Sequence, residues 1–286
     1  MAKVVIAGCG YVGNALAELL MKEDHEVFGI RRDTARLAPG VIGIQGNLAS
    51  PKSLGPAPRR VEYAVFAVSA DEGTEKAYRE AYVDGLAGFL EWLADEGQRP
   101  KRIVMTSSTS VYGQRRGEPI DEDSPTHPTQ FRGETLLTSE RLLVASGLSS
   151  VVVRLGGIYG PGRTGLIDRA RNGELRLRAN AHYTNRIHRD DAAGLIRHLL
   201  FHESPAPLYL GVDDESADEA NVYRWLGEEF GIDIPAEDET HEPGSRRRAV
   251  GSKRCSNRLA RESGYTFRYP SFREGYGELI RADRDN

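Results

Sequence analysis

The chain has 286 residues, enough to bury a full core in one large domain with an appended lobe or in two modest domains. Its 38 lysines and arginines against 42 acids leave a net charge of -4, which excludes a broad nucleic-acid-binding or anionic-membrane surface and favours a small-molecule partner. Cys9 and Cys255 stand far apart with no CxxC or Cys/His spacing, so neither a disulfide framework nor a metal site is expected.

In chain order, an apolar run at 4–7 leads into the glycine cluster "GCGYVG", and Val12, Leu16, Leu19 and Leu20 follow at helical spacing. A second apolar run spans 27–30. Strand, tight turn, helix, strand is the first unit of a parallel sheet, whose buried strands read as continuous apolar stretches. Further runs occur at 41–44, in "YAVFAV" from Tyr63, in "RIVMTS" from Arg102 and in "SVVVRL" from Ser150. Between them, Tyr78, Tyr82, Leu86, Phe89 and Leu93 step along one helical face, and Leu136, Leu137, Leu143 and Val144 mark another helix. The expected fold is α/β, a doubly wound parallel sheet with a smaller C-terminal mixed lobe. The alternation loosens after about residue 160. A dinucleotide-binding domain is therefore expected over 1–160, with about 184–202 returning to it, and a mainly substrate-binding lobe over 161–286. "IPAEDETHEPGSRRRAV" has almost no periodicity and is expected to be a long loop. No charged-then-apolar leader precedes Val4, and no apolar run approaches the roughly 18 to 20 residues of a membrane span, so a soluble, cytoplasmic protein is expected.

Gly8, Gly10 and Gly13 form GxGxxG directly after the first strand and before a helix. The first glycine permits the tight turn, the second lets backbone approach a pyrophosphate, and the third allows close helix packing. Helix-start N–H groups then face the phosphates. Cys9 inside the loop reads as a small filler, with a reactive thiol as the alternative. Arg31 and Arg32 stand where an acid usually holds the ribose 2′-hydroxyl, which favours NADP(H) over NAD(H). The alternatives are a pair of solvated arginines, or Asp33 serving the ribose if the strand ends later.

"TSSTSVYG" at 106–113, "RLGGIYGPGR" at 154–163, "IHRDDAAGLI" at 187–196 and the closing "SNRLARESGYTFRYPSFREGY" occur in that order after the glycines. Together they resemble the extended short-chain dehydrogenase/reductase family, of the NAD(P)-dependent epimerase/dehydratase type. The resemblance implies a cofactor set of Gly8, Gly10, Tyr11, Val12, Gly13, Arg31, Arg32, Asn47, Leu48, Ala67, Val68 and Ser69, with Asn47 near the adenine. It also implies a catalytic Ser108 and a YxxxK helix, whose lysine lowers the phenol's pKa from about 10 toward the working range. Counting back from Glu140 places the tyrosine at Arg132 and the lysine at Leu136, and sliding by one gives Phe131 and Thr135. "HPTQFRGETLLTSERLL" contains neither residue of the pair, so the active site is atypical.

Substitute proton donors are Ser108 itself, Tyr112, the His182–Tyr183 pair and His188, each with packing or structural hydrogen bonding as its alternative. Ser107, Thr109 and Ser110 are read as satisfying strand-end backbone groups. Ser108, Arg132, Tyr159 and Arg163 are the candidate substrate contacts, and Arg132 and Arg163 point to an anionic ligand. Arg246 to Arg248 is either a solvated loop face or a border of the substrate site. The resemblance further implies a homodimer through the helices near 75–94 and 132–146, where an exposed apolar stripe would be needed. Two functions follow: an NADP(H)-dependent oxidoreductase or epimerase/dehydratase-type enzyme with an unconventional proton donor, or a catalytically silent NADP(H)-binding sensor or scaffold.

Overall fold

A computed structural model describes residues 1–237 and 251–284. The expectations for Arg246 to Arg248, and for the loop beyond residue 237, lie outside the described residues. The strands are β1 (Lys3–Ala7), β2 (Glu26–Arg31), β3 (Ile42–Gln45), β4 (Tyr63–Phe66), β5 (Arg102–Ser108), β6 (Glu118–Ile120), β7 (Ser150–Leu155), β8 (Gly157–Tyr159), β9 (Tyr183–Thr184), β10 (Arg186–His188), β11 (Leu208–Gly211), β12 (Ala217–Asp218) and β13 (Lys253–Cys255). The helices are α1 (Tyr11–Lys22), α2 (Glu75–Tyr78), α3 (Gly85–Asp95), α4 (Phe131–Ala145), α5 (Gly165–Arg171), α6 (Arg189–Phe201), α7 (Glu219–Phe230), α8 (Arg258–Glu262) and α9 (Phe272–Arg284). None among the described residues is long and apolar enough to cross a membrane.

The chain forms two compact units, the first comprising Met1–Val111, Pro128–Arg154 and Ala192–Tyr209, the second Tyr112–His127, Leu155–Asp191 and Leu210–Asn286. A seven-stranded sheet, ordered β11-β7-β5-β4-β1-β2-β3 among the described residues, has the doubly wound α/β plan. From β1 the chain adds β2 and β3 on one side and β4 and β5 on the other, all in parallel pairs, so direction reverses between β1 and β4. Strands covered by helices on both faces are apolar at every position, and β1 is buried at Val4, Val5, Ile6 and Ala7 for that reason. One core cluster of the first unit gathers Phe66, Phe89, Trp92, Ile103, Met105 and Leu143.

The helical face that begins at Tyr78 is not one uniform helix. Between α2 and α3 lies a π-helical stretch, Arg79–Asp84. Ser139 of α4 donates to the Tyr82 carbonyl at 2.5 Å, and a side chain that captures a main-chain carbonyl is one cause of such a bulge.

In the second unit β8 pairs with β10 and β6 with β13, both parallel, while β9 and β12 are antiparallel. Its core packs Tyr159, Ile167, Val222, Leu226, Phe272 and Tyr276. Asp218 caps α7 by accepting from the Ala220 amide, and Gly231 at φ +66° ends that helix.

Candidate functional site

The register of β1 builds the site. Ala7, its last residue, lies beside Ile30 of β2 and Phe66 of β4, and the chain leaves the sheet at Gly8. Gly8 has φ +82°, and a Cβ there would stand 2.6 Å from the Val68 backbone. Only glycine satisfies both demands. At Gly13 a Cβ would come within 2.7 Å of the Gly8 carbonyl oxygen, because the first turn of α1 rests on the glycine turn itself. Gly10 differs: its Cβ position meets only the Gly8 oxygen, at 3.9 Å, so the space in front of it is open. That space adjoins the N-terminus of α1, whose first turn carries no acidic residue and whose N–H groups and dipole favour an anion. By room and by charge, the residues there fit a pyrophosphate.

Cys9 is buried filler within this turn. Its thiol donates to Asn14 Oδ1 at 3.2 Å, and burial pushes its pKa up to about 12, the reverse of activation. The Asn14 oxygen also accepts from the Ala38 amide, and its Nδ2 donates to the Arg36 carbonyl at 3.0 Å. One asparagine thereby ties the glycine turn and α1 to the segment after β2, a role that sequence reading missed.

Arg31 ends β2 and donates through Nη1 to the Cys9 carbonyl at 2.8 Å. Arg32 donates through Nη2 to Asp71 Oδ1, also at 2.8 Å, with both side chains 65% exposed. The hydrogen bond from Arg32 lowers the Asp71 carboxyl pKa and, reciprocally, raises that of Arg32. Because β2 ends at Arg31, Asp33 belongs to the next turn, where it accepts from the Ala35 amide and pairs with Arg36 at 3.1 Å. Asn47 closes its own turn, with Oδ1 accepting from the Ala49 amide. Leu48 and Val68 pack against the core, Ala67 donates its amide to the Ala7 carbonyl at 2.8 Å, and Ser69 is exposed.

At the end of β5, Ser108 is half-buried and its Oγ accepts from the Ser110 amide at 3.1 Å. Its own proton is a donor that a substrate oxygen can accept. Ser107 points the other way, donating to Glu140 Oε1 at 2.5 Å, and Arg154 closes a two-pronged ion pair with Glu140 at 3.1 and 2.7 Å. This buried triad, with Arg154 and Glu140 only 8% and 9% exposed, fixes α4 against the strand ends. Gly133 brings the start of α4 still closer, since a Cβ there would fall 2.5 Å from the Ser110 carbonyl oxygen.

The helix α4, which contains neither tyrosine nor lysine, is therefore firmly seated. Leu136 is buried, and an ammonium at that position would be desolvated. Arg132 donates weakly to the Gly73 carbonyl at 3.5 Å, and its guanidinium lies 5.5 Å from the Tyr78 ring and 5.7 Å from the Phe131 ring. Cation–π packing and the Gly73 oxygen thus engage the guanidinium in part, while its buried Nε has no hydrogen-bond partner among the described residues.

In the second unit, Tyr159 is core rather than open surface. Its ring lies 4.4 Å from Tyr276 and 5.3 Å from His188, and its hydroxyl abuts Gly275 of α9, where any side chain would collide. Burial raises its pKa further. Arg163 is exposed in the turn after β8, with its amide bonded to Gly160 O. Several substitute donors have structural contacts: Tyr112 donates its hydroxyl to the Asp121 carbonyl at 3.0 Å, and Tyr183 packs under the Arg254 guanidinium, while at His182 it is the main-chain amide that donates to Asp218. His188 lies between Tyr159 and Tyr269, accepts from the Asp190 amide, and has its pKa lowered by burial. Asp213, which sequence reading did not single out, is buried and raised well above the ordinary carboxylate range, with the Arg186 guanidinium pulling the other way.

The sheet, the glycine turn and the serine-bearing strand end define a nucleotide-binding α/β protein of the short-chain dehydrogenase/reductase type. The model of the NAD dependent epimerase/dehydratase family matches residues 4–198, and the chain belongs to that family. A 2-alkyl-3-oxoalkanoate reductase of Stenotrophomonas maltophilia (strain K279a) is 30% identical over 226 residues, which cover 72% of this chain and 67% of that protein. A solved structure from Methylobacillus flagellatus, described there as of NAD-dependent epimerase/dehydratase type, aligns over 99% of both chains with a TM-score of 0.82 and 34% identity. Two more distant structures share the fold. Human epimerase family protein SDR39U1, solved with NADPH, has a TM-score of 0.76 at 23% identity, covering 97% of this chain and 98% of its own. The Bordetella bronchiseptica enzyme WbmG, solved with NAD, has a TM-score of 0.77 at 18% identity, covering 99% of this chain and 94% of its own.

Proposed function

We propose that the protein is an NADP(H)-dependent oxidoreductase acting on a small carbonyl compound, with Ser108 as the substrate-facing hydroxyl and no phenol in the proton-transfer position. The observation that carries this reading is the open face of Gly10 at the N-terminus of α1, together with Arg31 at the end of β2 and Arg32 just beyond it. When bound, the nicotinamide dinucleotide supplies or accepts hydride. In this reading Gly8, Gly10, Tyr11, Val12 and Gly13 receive the pyrophosphate, Arg31 and Arg32 receive the 2′-phosphate, and Asn47, Leu48, Ala67, Val68 and Ser69 line the remainder. Ser108 orients the substrate oxygen through the proton it does not use on Ser110. Without a tunable phenol, the rate forgoes an acid/base contribution of about 10² to 10⁴.

For an anionic substrate, Arg132, whose buried Nε has no hydrogen-bond partner among the described residues, and the exposed Arg163 are the candidate cations. A cytoplasmic setting and a homodimer belong to the same proposal. For the dimer, Val144 is the exposed large apolar residue on the two helices concerned, which argues for a small or polar contact.

Titrating NADPH and NADH into the protein and into an Arg31→Ala/Arg32→Ala variant tests the cofactor reading. NADPH is expected to bind more tightly, and the variant to lose most of that preference, each charge-assisted contact contributing about 1.5 to 3 kcal/mol at most. Equal affinities in the unaltered protein overturn it. The second reading, a silent NADP(H)-binding sensor, is favoured by buried Leu136 and by the inability of Arg132 to exchange a proton near neutrality. Failure of bound NADPH to be oxidised by any carbonyl or nucleotide-sugar compound tried would select it.

A further inference from the structure

The sheet order sets β1 between β4 and β2, so the glycine turn lies between the segment that leaves β4 and the segment that leaves β2. Arg32 is the first residue beyond β2 and Asp71 belongs to the loop beyond β4. Their 2.8 Å ion pair joins these two flanks across the turn. The loop is held at two more points: the Tyr82 phenol bonds the Ala70 backbone, and the Gly73 carbonyl accepts from Arg132. Of these three ties, only the one at Asp71 uses a guanidinium that a 2′-phosphate would need.

We propose that Asp71 is a specificity-determining residue, a rival of the cofactor's 2′-phosphate for Arg32 and a latch across the glycine turn. The proposal rests on the NADP(H) reading above. NADP(H) has to take Arg32 from Asp71 and then tolerate a carboxylate beside its own phosphate. NAD(H) carries no group that needs Arg32, so Asp71 lowers the affinity of one cofactor and leaves the other nearly untouched, which is how discrimination by a competing group operates. Because both partners are largely exposed, the effect is modest and sensitive to salt.

Calorimetric titration of the apoprotein and of Asp71→Asn, with NADPH, NADH, 2′,5′-ADP and 5′-AMP, tests this. Expected is a gain of about two- to fivefold for NADPH and 2′,5′-ADP, the range an exposed ion pair is worth, shrinking as salt rises, with NADH and 5′-AMP unchanged. In an Arg32→Ala background the gain should fall to what relief of the carboxylate–phosphate repulsion alone gives. Equal gains for all four ligands would make Asp71 a general cover, and no gain or a loss for NADPH would remove its competing role; each overturns the proposal. If Arg32→Ala removes the NADPH preference while Asp71→Asn is silent, the latch fails and the cofactor reading stands. Equal NADPH and NADH affinities before any substitution, with a gain for NADPH in Asp71→Asn, would remove the cofactor reading and keep the latch. Circular dichroism on each variant separates these outcomes from misfolding.

Discussion

At the end of β1, Gly8 and Gly13 let α1 rest on the glycine turn while Gly10 keeps a side chain out of the space in front. At the end of β5, Gly133 presses α4 onto the Ser110 carbonyl by the same device, and Glu140 locks the helix to Arg154 and Ser107. The two regions share a construction but not a content. Close packing at the glycine turn leaves an open space at a helix N-terminus, whereas at α4 it seats a helix that carries Arg132 and a buried Leu136. Packing and chemistry are carried by different side chains in both regions.

The comparison breaks if function and stability cannot be separated at Gly10. Gly10→Val is expected to abolish dinucleotide binding while thermal unfolding stays near that of the parent, since its Cβ meets no protein atom closer than 3.9 Å. Unchanged NADPH affinity in a folded variant would show that the pyrophosphate lies elsewhere. The converse is expected at α4. Glu140→Leu strands a buried Arg154 and should cost about 3 to 5 kcal/mol in urea unfolding. A loss below about 1 kcal/mol would mean that the triad is not what seats the helix.

A change in the second unit gives a control that touches neither region. Burial raises the folded pKa of Asp213, so the folded state binds more protons than the unfolded one. Its contribution is present at low pH and is lost as pH rises from the ordinary carboxylate range toward the folded value. Asp213→Asn should remove that slope and at pH 8 be more stable by about 1 to 3 kcal/mol. His188 has the opposite sign: its folded pKa is lowered, so its contribution is full above the ordinary histidine range and falls as the pH drops through it. Denaturant melts of the parent and of Asp213→Asn from pH 4 to 8 separate the two, and identical profiles for both proteins would deny the Asp213 contribution. The smallest effect is expected for Arg132→Ala, which gives up cation–π contacts worth about 0.5 to 1 kcal/mol and leaves NADPH affinity unaltered. A marked fall in that affinity would bring Arg132 into the cofactor site after all.

What the sequence by itself determined is local. Continuous apolar runs specify buried parallel strands, and the GxGxxG spacing after the first of them specifies the turn. Each of these is carried by residues a few positions apart, where the period of the chain decides which way a side chain faces. The partners of the charged side chains were decided only by the tertiary structure. Arg32 meets Asp71 at a separation of 39 residues, Arg132 meets Gly73 at 59, and Ser139 draws out the Tyr82 carbonyl at 57. No periodicity encodes such pairs, since a long flexible side chain on a strand end or helix start takes whichever opposite charge or carbonyl the sheet order brings within reach. For the same reason the sequence marked Arg31 and Arg32 as neighbouring cations after the second strand, while only the fold set Asp71 against one of them.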